Sequence, residues 1–186
     1  MKTINKLLLY SVSVIVFLIS FLPAYASDNK TTGYWSTPQA LIQEIESKGA
    51  KPVVSELYSN TTTWSFVLRR IASGEQSWLK VAVALHAGAD AGASGMLTLA
   101  VGEALGNNPK NVFTIAAESF ELSNICAGPD VDDARYNSYK LSIKEINKRI
   151  EKISAVKDRS TEKTGKECIQ YLEASKKGIA DFYGKK

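Results

Sequence analysis

The sequence predicts an all-α fold: stacked αα-hairpins forming a short solenoid, then a long antiparallel helical hairpin. Three observations carry that expectation. Apolar residues recur three and four apart, as at Trp64, Val67, Leu68 and Ile71, which keeps them on one helix face. A capping side chain followed by proline marks helix starts at Ser36-Thr37-Pro38 and Asn108-Pro109, because proline at the first helical position lacks an N–H that would be unpaired anyway. No segment alternates apolar and polar residues between hairpin turns, as strands would.

The elements follow in order. Pro38 opens a first helix with Leu41, Ile42 and Ile45 on its apolar face, and Gly49 ends it. Pro52 starts a second, carrying Val53, Val54 and Leu57. A third runs from about Thr63 through Ser73 and stops at Gly74. Ser77 suits the cap of a fourth, with Trp78, Leu79, Ala82, Val83 and Leu85. The small residues from Gly88 to Gly95 read as a loop permitting close helix approach. A fifth helix carries Met96, Leu97, Val101, Ala104 and Leu105, and stops at Gly106. A sixth begins at Asn108-Pro109 and carries Val112, Phe113, Ile115 and Ala116.

These six helices pair into three units over residues 38–117, each a helix, a glycine, a short polar turn and a second helix. Residues 66–84 laid on 99–117, a shift of 33, match apolar with apolar at most inward positions. About three such units suffice to bury one another's faces. The glycine spacings of 25 and 32 make the repeat irregular, and an irregular helical bundle would also contain helix–glycine–helix units.

Residues 130–184 change character. Tyr136, Tyr139, Ile143, Ile146, Ile150 and Ile153 are spaced 3-4-3-4-3, and Cys168, Leu172, Ser175, Ile179 and Phe182 are spaced 4-3-4-3. Both are heptad-like seams, one per helix of a hairpin. Ser160 and Thr161 suit the turn and a fresh cap.

Residues 1–26 read as a secretory signal peptide. Lys2 and Lys6 precede a mostly apolar run from Leu7 to Leu22, and Pro23 leads to Ala24-Tyr25-Ala26. The expected cleavage is between Ala26 and Ser27. The run's 16 residues fall short of the roughly 20 a spanning helix needs. Removal leaves 160 of 186 residues, the size of one domain, in the periplasm or secreted, with no stable membrane insertion. In that oxidising setting Cys126 and Cys168 pair as a disulfide closing a 42-residue loop. The chain-entropy model gives such a bond about 4 kcal/mol. Residues 27–131 carry 7 basic and 10 acidic side chains, and residues 132–186 carry 14 and 9. Lysines mixed with glutamates in a secreted chain point to a solvated helix pair, not to a nucleic-acid partner.

No residue set reads as catalytic, cofactor-binding or metal-binding. His86, the only histidine, lies near Asp90 and Ser94, but Gly92-Ala93-Ser94-Gly95 is not a Gly-x-Ser-x-Gly elbow. Its expected role is a charge near a helix end. One cysteine pair and one histidine cannot fill a zinc site without carboxylates. Glu103, Glu118 and Glu121 are the carboxylates a wall-cleaving glycosidase would use, if two flanked a cleft. Trp35, Trp64 and Trp78 are expected in the core, with Tyr34-Trp35 the pair to watch as an exposed sugar platform.

The stretch from Ile71 through Gly74, Trp78 and Ala82, then Leu85 and Gly88-Ala-Asp90, then Ala104 through Asn108-Pro109 to Val112, resembles short secreted proteobacterial helical-repeat proteins of unassigned function. That resemblance implies a HEAT-like repeat and no catalytic residues. In size, leader and helical build the chain is also similar to periplasmic immunity proteins that neutralise toxins from competing bacteria. The expectation is a non-enzymatic module whose partner is another protein. A peptidoglycan-acting hydrolase and a structural or chaperone-like envelope factor are the alternatives.

Overall fold

The computed structural model describes residues 35–185. The signal peptide, its Ala26–Ser27 junction and Tyr34 lie outside the described residues. The described chain is all-α, without strands. Its helices are α1 (Pro38–Lys48), α2 (Ala50–Ser59), α3 (Thr61–Ala72), α4 (Gln76–His86), α5 (Ala91–Ala104), α6 (Pro109–Asn111), α7 (Leu122–Ile125), α8 (Tyr139–Ser154) and α9 (Glu162–Phe182). A π-helical segment, Val112–Ala116, continues α6.

Side-chain caps set most starts. The Thr37 hydroxyl accepts from the Ala40 N–H at 3.3 Å, and Pro38 follows it. Asn60 accepts from the Thr63 N–H at 3.0 Å, so it closes α2 and opens α3. Asp90 accepts from the Ala93 N–H at 3.0 Å and starts α5 at Ala91. That corrects the loop expected over 88–95: an aspartate cap outweighs the weak helix propensity of Gly92 and Gly95. The closest approach falls on Gly88, where a Cβ would lie 2.3 Å from the Lys51 nitrogen; at Gly92 it would lie 3.0 Å from the Tyr58 hydroxyl oxygen.

Two other starts differ from expectation. Helix α4 begins at Gln76, with no side-chain bond from Glu75, so Ser77 lies inside it. The Thr161 hydroxyl donates to the Asp158 carbonyl at 3.2 Å and does not cap α9.

Helix α1 packs on α4, α2 on α3, α3 on α5, and α4 on the π segment. A simple repeat would set α1 beside α3. The one-residue links Gly49 and Asn60 hold α2 against both sequence neighbours, which places α1 against α4 instead. Trp78, Leu41, Leu57, Ile71, Leu79, Leu85, Leu97 and Leu105 form the centre of the core. Trp35, Trp64 and Trp78 are all buried, so none is an exposed platform. At φ +75°, Gly74 makes a turn that side-chain-bearing residues resist. Its carbonyl accepts from Asn111 Nδ2 at 3.0 Å, and Ala72's accepts from Asn107 Nδ2 at 2.8 Å. Those asparagines tie α6 to the α3–α4 turn.

Helices α8 and α9 run antiparallel: the Tyr139 and Tyr183 rings are 6.4 Å apart, and Ile153 abuts Gly165. Ile146 and Ile179 both reach Gly128, whose N–H donates to Ser175 Oγ at 3.1 Å. Phe182 is not in the seam; it is 67% exposed. The helix ends there, and Tyr183 turns back onto Tyr139 in its place. A disulfide joins Cys126 to Cys168, with Cα atoms 5.2 Å apart and both side chains fully buried.

Candidate functional site

A cleft of about 520 Å³ lies between α3, α5, α7 and the segment leading from α7 to α8. Met96, Leu99, Ala100 and Glu103 line it from α5, brought to one face by their three- and four-residue spacing. Leu68 and Pro129 add apolar wall.

Glu103 is the only one of the three sequence-picked glutamates lining this cleft. Arg135 donates from Nη1 to Oε2 of Glu103 at 2.9 Å and from Nη2 to Oε1 at 2.6 Å. The same guanidinium bonds Asp133 through Nε at 3.0 Å and Nη2 at 2.6 Å. It also lies 5.1 Å from the centre of the Tyr136 ring. The Arg135 hydrogen bond holds the Asp133 carboxyl below its ordinary range. Asp133 and then Glu103 push the guanidinium's pKa further up. Burial, then the charges of Glu103 and Glu145, push the Tyr136 phenol up.

Deeper in, Arg149 is 2% exposed. Its Nε donates to Glu145 at 3.0 Å and its Nη1 to the Ala127 carbonyl at 3.2 Å. A buried arginine needs this kind of partnership.

An exposed apolar strip leads to the cleft. Tyr58, Met96 and Leu99 are 44%, 38% and 44% exposed. The Tyr58 ring meets Trp64 edge-on at 5.7 Å, and Trp64 Nε1 donates to Met96 Sδ at 3.3 Å. A second, open groove of about 980 Å³ runs along α8 and shares Arg135 and Tyr136 with the cleft.

The other sequence-picked residues sit apart. Glu118 and Glu121 are exposed in and after a turn, not on one helix face, because helical structure ends at Ala116. Glu121 binds Ser123 Oγ and Asn124 Nδ2. His86 ends α4 as expected, but its Nε2 is 3.0 Å from Ser94 Oγ and its ring stacks 4.2 Å from Phe120. Asp90 is occupied as a helix cap and completes no triad. Among the described residues, no group of three histidine, cysteine, aspartate or glutamate side chains could hold a metal ion. No described helix is long and apolar enough to cross a membrane.

Sequence reading missed Arg135, Asp133 and Arg149. The first two stand in the charged run Asp130–Tyr136, whose density was the available signal. Arg149 sits among lysines and glutamates that resemble a solvated face. No family model, curated protein or solved structure matches this chain.

Proposed function

We propose that the protein is a non-enzymatic binding module of the cell envelope that docks another protein. The specific reading is an immunity protein that neutralises a toxin. The carrying observation is the strip Tyr58–Met96–Leu99 opening onto the cleft. Exposed apolar surface rimmed by polar groups suits protein contact. Three of the rim charges are already paired with one another, since Arg135 occupies both oxygens of Glu103 and also binds Asp133. A glycosidase would need one such carboxyl free to donate a proton and a second across the cleft, and the Arg135 clamp disfavours that use of Glu103.

The test is protection. The chain is expressed with its leader in a susceptible bacterium, which is challenged with the product of each gene neighbouring its own, exported to the same compartment. Survival is expected, and Leu99→Asp should abolish it. Loss of protection would follow from a disrupted contact, so the variant's circular dichroism must match the parent. Lysis of cell walls by the purified protein, lost in Glu103→Gln, would instead establish the hydrolase. Absence of both would leave the envelope structural or chaperone-like factor as the better account.

A further inference from the structure

We propose that the groove along α8 receives an acidic segment of the protein partner, an inference that rests on the protein-binding reading above. Lys140, Lys144 and Lys148 line the groove at four-residue intervals, so they share a side of the helix. Lys140 and Lys144 make no ion pair among the described residues. Lys148 is only 4.0 Å from Glu145 and 3.4 Å from Asn107 Oδ1. Two acids line the groove: Glu145 is turned to the buried Arg149 at 3.0 Å, with its side chain 12% exposed, and Glu151 is exposed. Three lysines against one unpaired acid, Glu151, leave the groove net basic, with Lys140 and Lys144 free to meet an occupant.

Its floor is apolar. Leu141 is 41% exposed, and Tyr139 and Ile143 are half-buried. At the open end of the hairpin, Phe182 stands 67% exposed against Tyr183 at 4.9 Å, and Tyr183 meets Tyr139. Exposed aromatics beside a concave surface are the residue types that anchor protein partners. A chain fits a groove; a flat bilayer would meet the rims and leave the floor uncovered. An occupant with carboxylates between apolar residues satisfies both the lysines and the floor. Charge pairing at exposed lysines makes such docking salt-sensitive.

The test pans phage-displayed random peptides against the immobilised full-length mature protein at low salt. The selected peptides should be rich in Asp and Glu interspersed with apolar residues. Lys140→Glu/Lys144→Glu should weaken the best peptide about tenfold, and Phe182→Ser should weaken it about threefold. Lys163→Glu/Lys177→Glu, an equal charge change on exposed parts of α9, should leave affinity within a factor of about two. Peptides without acidic bias, no enriched peptide, or equal loss in both charge variants would overturn the proposal. So would co-sedimentation with phosphatidylglycerol–phosphatidylcholine vesicles that Phe182→Ser abolishes, since that outcome assigns the surface to membrane. The selection needs no toxin, so failure of wild-type protection strikes the broader reading alone. Wild-type protection together with a failed selection strikes the groove alone.

Discussion

Residues 38–116 and residues 139–182 are both helical, yet different contacts hold them. In the first region short helices bury large apolar side chains on several neighbours at once, with Trp78, Leu79, Leu85 and Leu97 almost wholly covered. Its turns are fixed by asparagine and aspartate caps and by carbonyl–asparagine bonds between units. In the second region two long helices share a narrow seam. Their docking rests on Ile146, Ile153, Leu172 and Ile179, which join the common apolar core, and on the Cys126–Cys168 bond, the close approach at Gly128 and the buried Arg149. The comparison teaches a division of labour: broad apolar burial supplies the first region's stability, while the helix pair adds a covalent tie and a few polar contacts to a smaller apolar contact made by Ile146, Leu172 and Ile179. The hairpin can thus leave basic and aromatic side chains exposed.

The largest expected effect tests the first half of that contrast. Trp78 is 1% exposed, with the Phe66 ring edge-on at 6.0 Å and Arg70 at 5.5 Å from its ring centre. Trp78→Ala should cost about 3–5 kcal/mol, read as an earlier urea midpoint for the whole chain. A loss under about 1 kcal/mol would mean the first region is not held by burial.

Next comes the tie. Cys168→Ser should cost about 2–4 kcal/mol in the same urea titration. A free-thiol assay bears on its premise: native and denatured unreduced protein should show no titratable thiol.

Cap removal is smaller. Asn60→Ala should cost about 1 kcal/mol, because it removes the acceptor for Thr63 between two helices. Little change would indicate that tertiary packing alone sets the α2–α3 junction.

Acid acts on the rim, not on the core. Asp133 has a folded pKa below its ordinary 3.8, so its contribution is complete above that ordinary value. It is lost as pH falls through the lower folded value. The Arg135 side-chain N–H signals should therefore stay shifted down to about pH 4 and relax below it. Arg135 is more than half exposed, so the associated stability change should stay within about 1 kcal/mol. Relaxation of those signals near neutral pH would contradict the observed pairing.

The smallest expected effect is at Phe182. Phe182→Ser should change stability by no more than about 0.5 kcal/mol, because the side chain is 67% exposed. A larger loss would mean that Phe182 packs within the hairpin and is not free for a partner.

The sequence carried the periodic parts of this architecture. Apolar spacing located the helices, and Thr37-Pro38 and Asn108-Pro109 marked two starts that side-chain hydrogen bonds realise. The cysteine pairing followed from there being two of them. The start of α5 was harder, because Asp90 acts through one hydrogen bond while Gly92 and Gly95 argue for a loop. Which helices pack together in the first region depends on single-residue links, which periodicity does not register. The cleft was illegible for a different reason. Glu103 and Arg135 are 32 residues apart and meet only when the α7–α8 segment folds over α5. The burial of Arg149 likewise depends on the Ala127 carbonyl, 22 residues away.

Native-state hydrogen exchange on Cys168→Ser tests the division between the two helical regions most directly. The account predicts that amides of α8 and α9 lose protection together, while those of α3, α4 and α5 keep nearly all of theirs. Uniform loss across both regions would contradict it, since the tie would then support the whole core. Unchanged protection in α8 and α9 would contradict it too, since their seam would then hold without the bond.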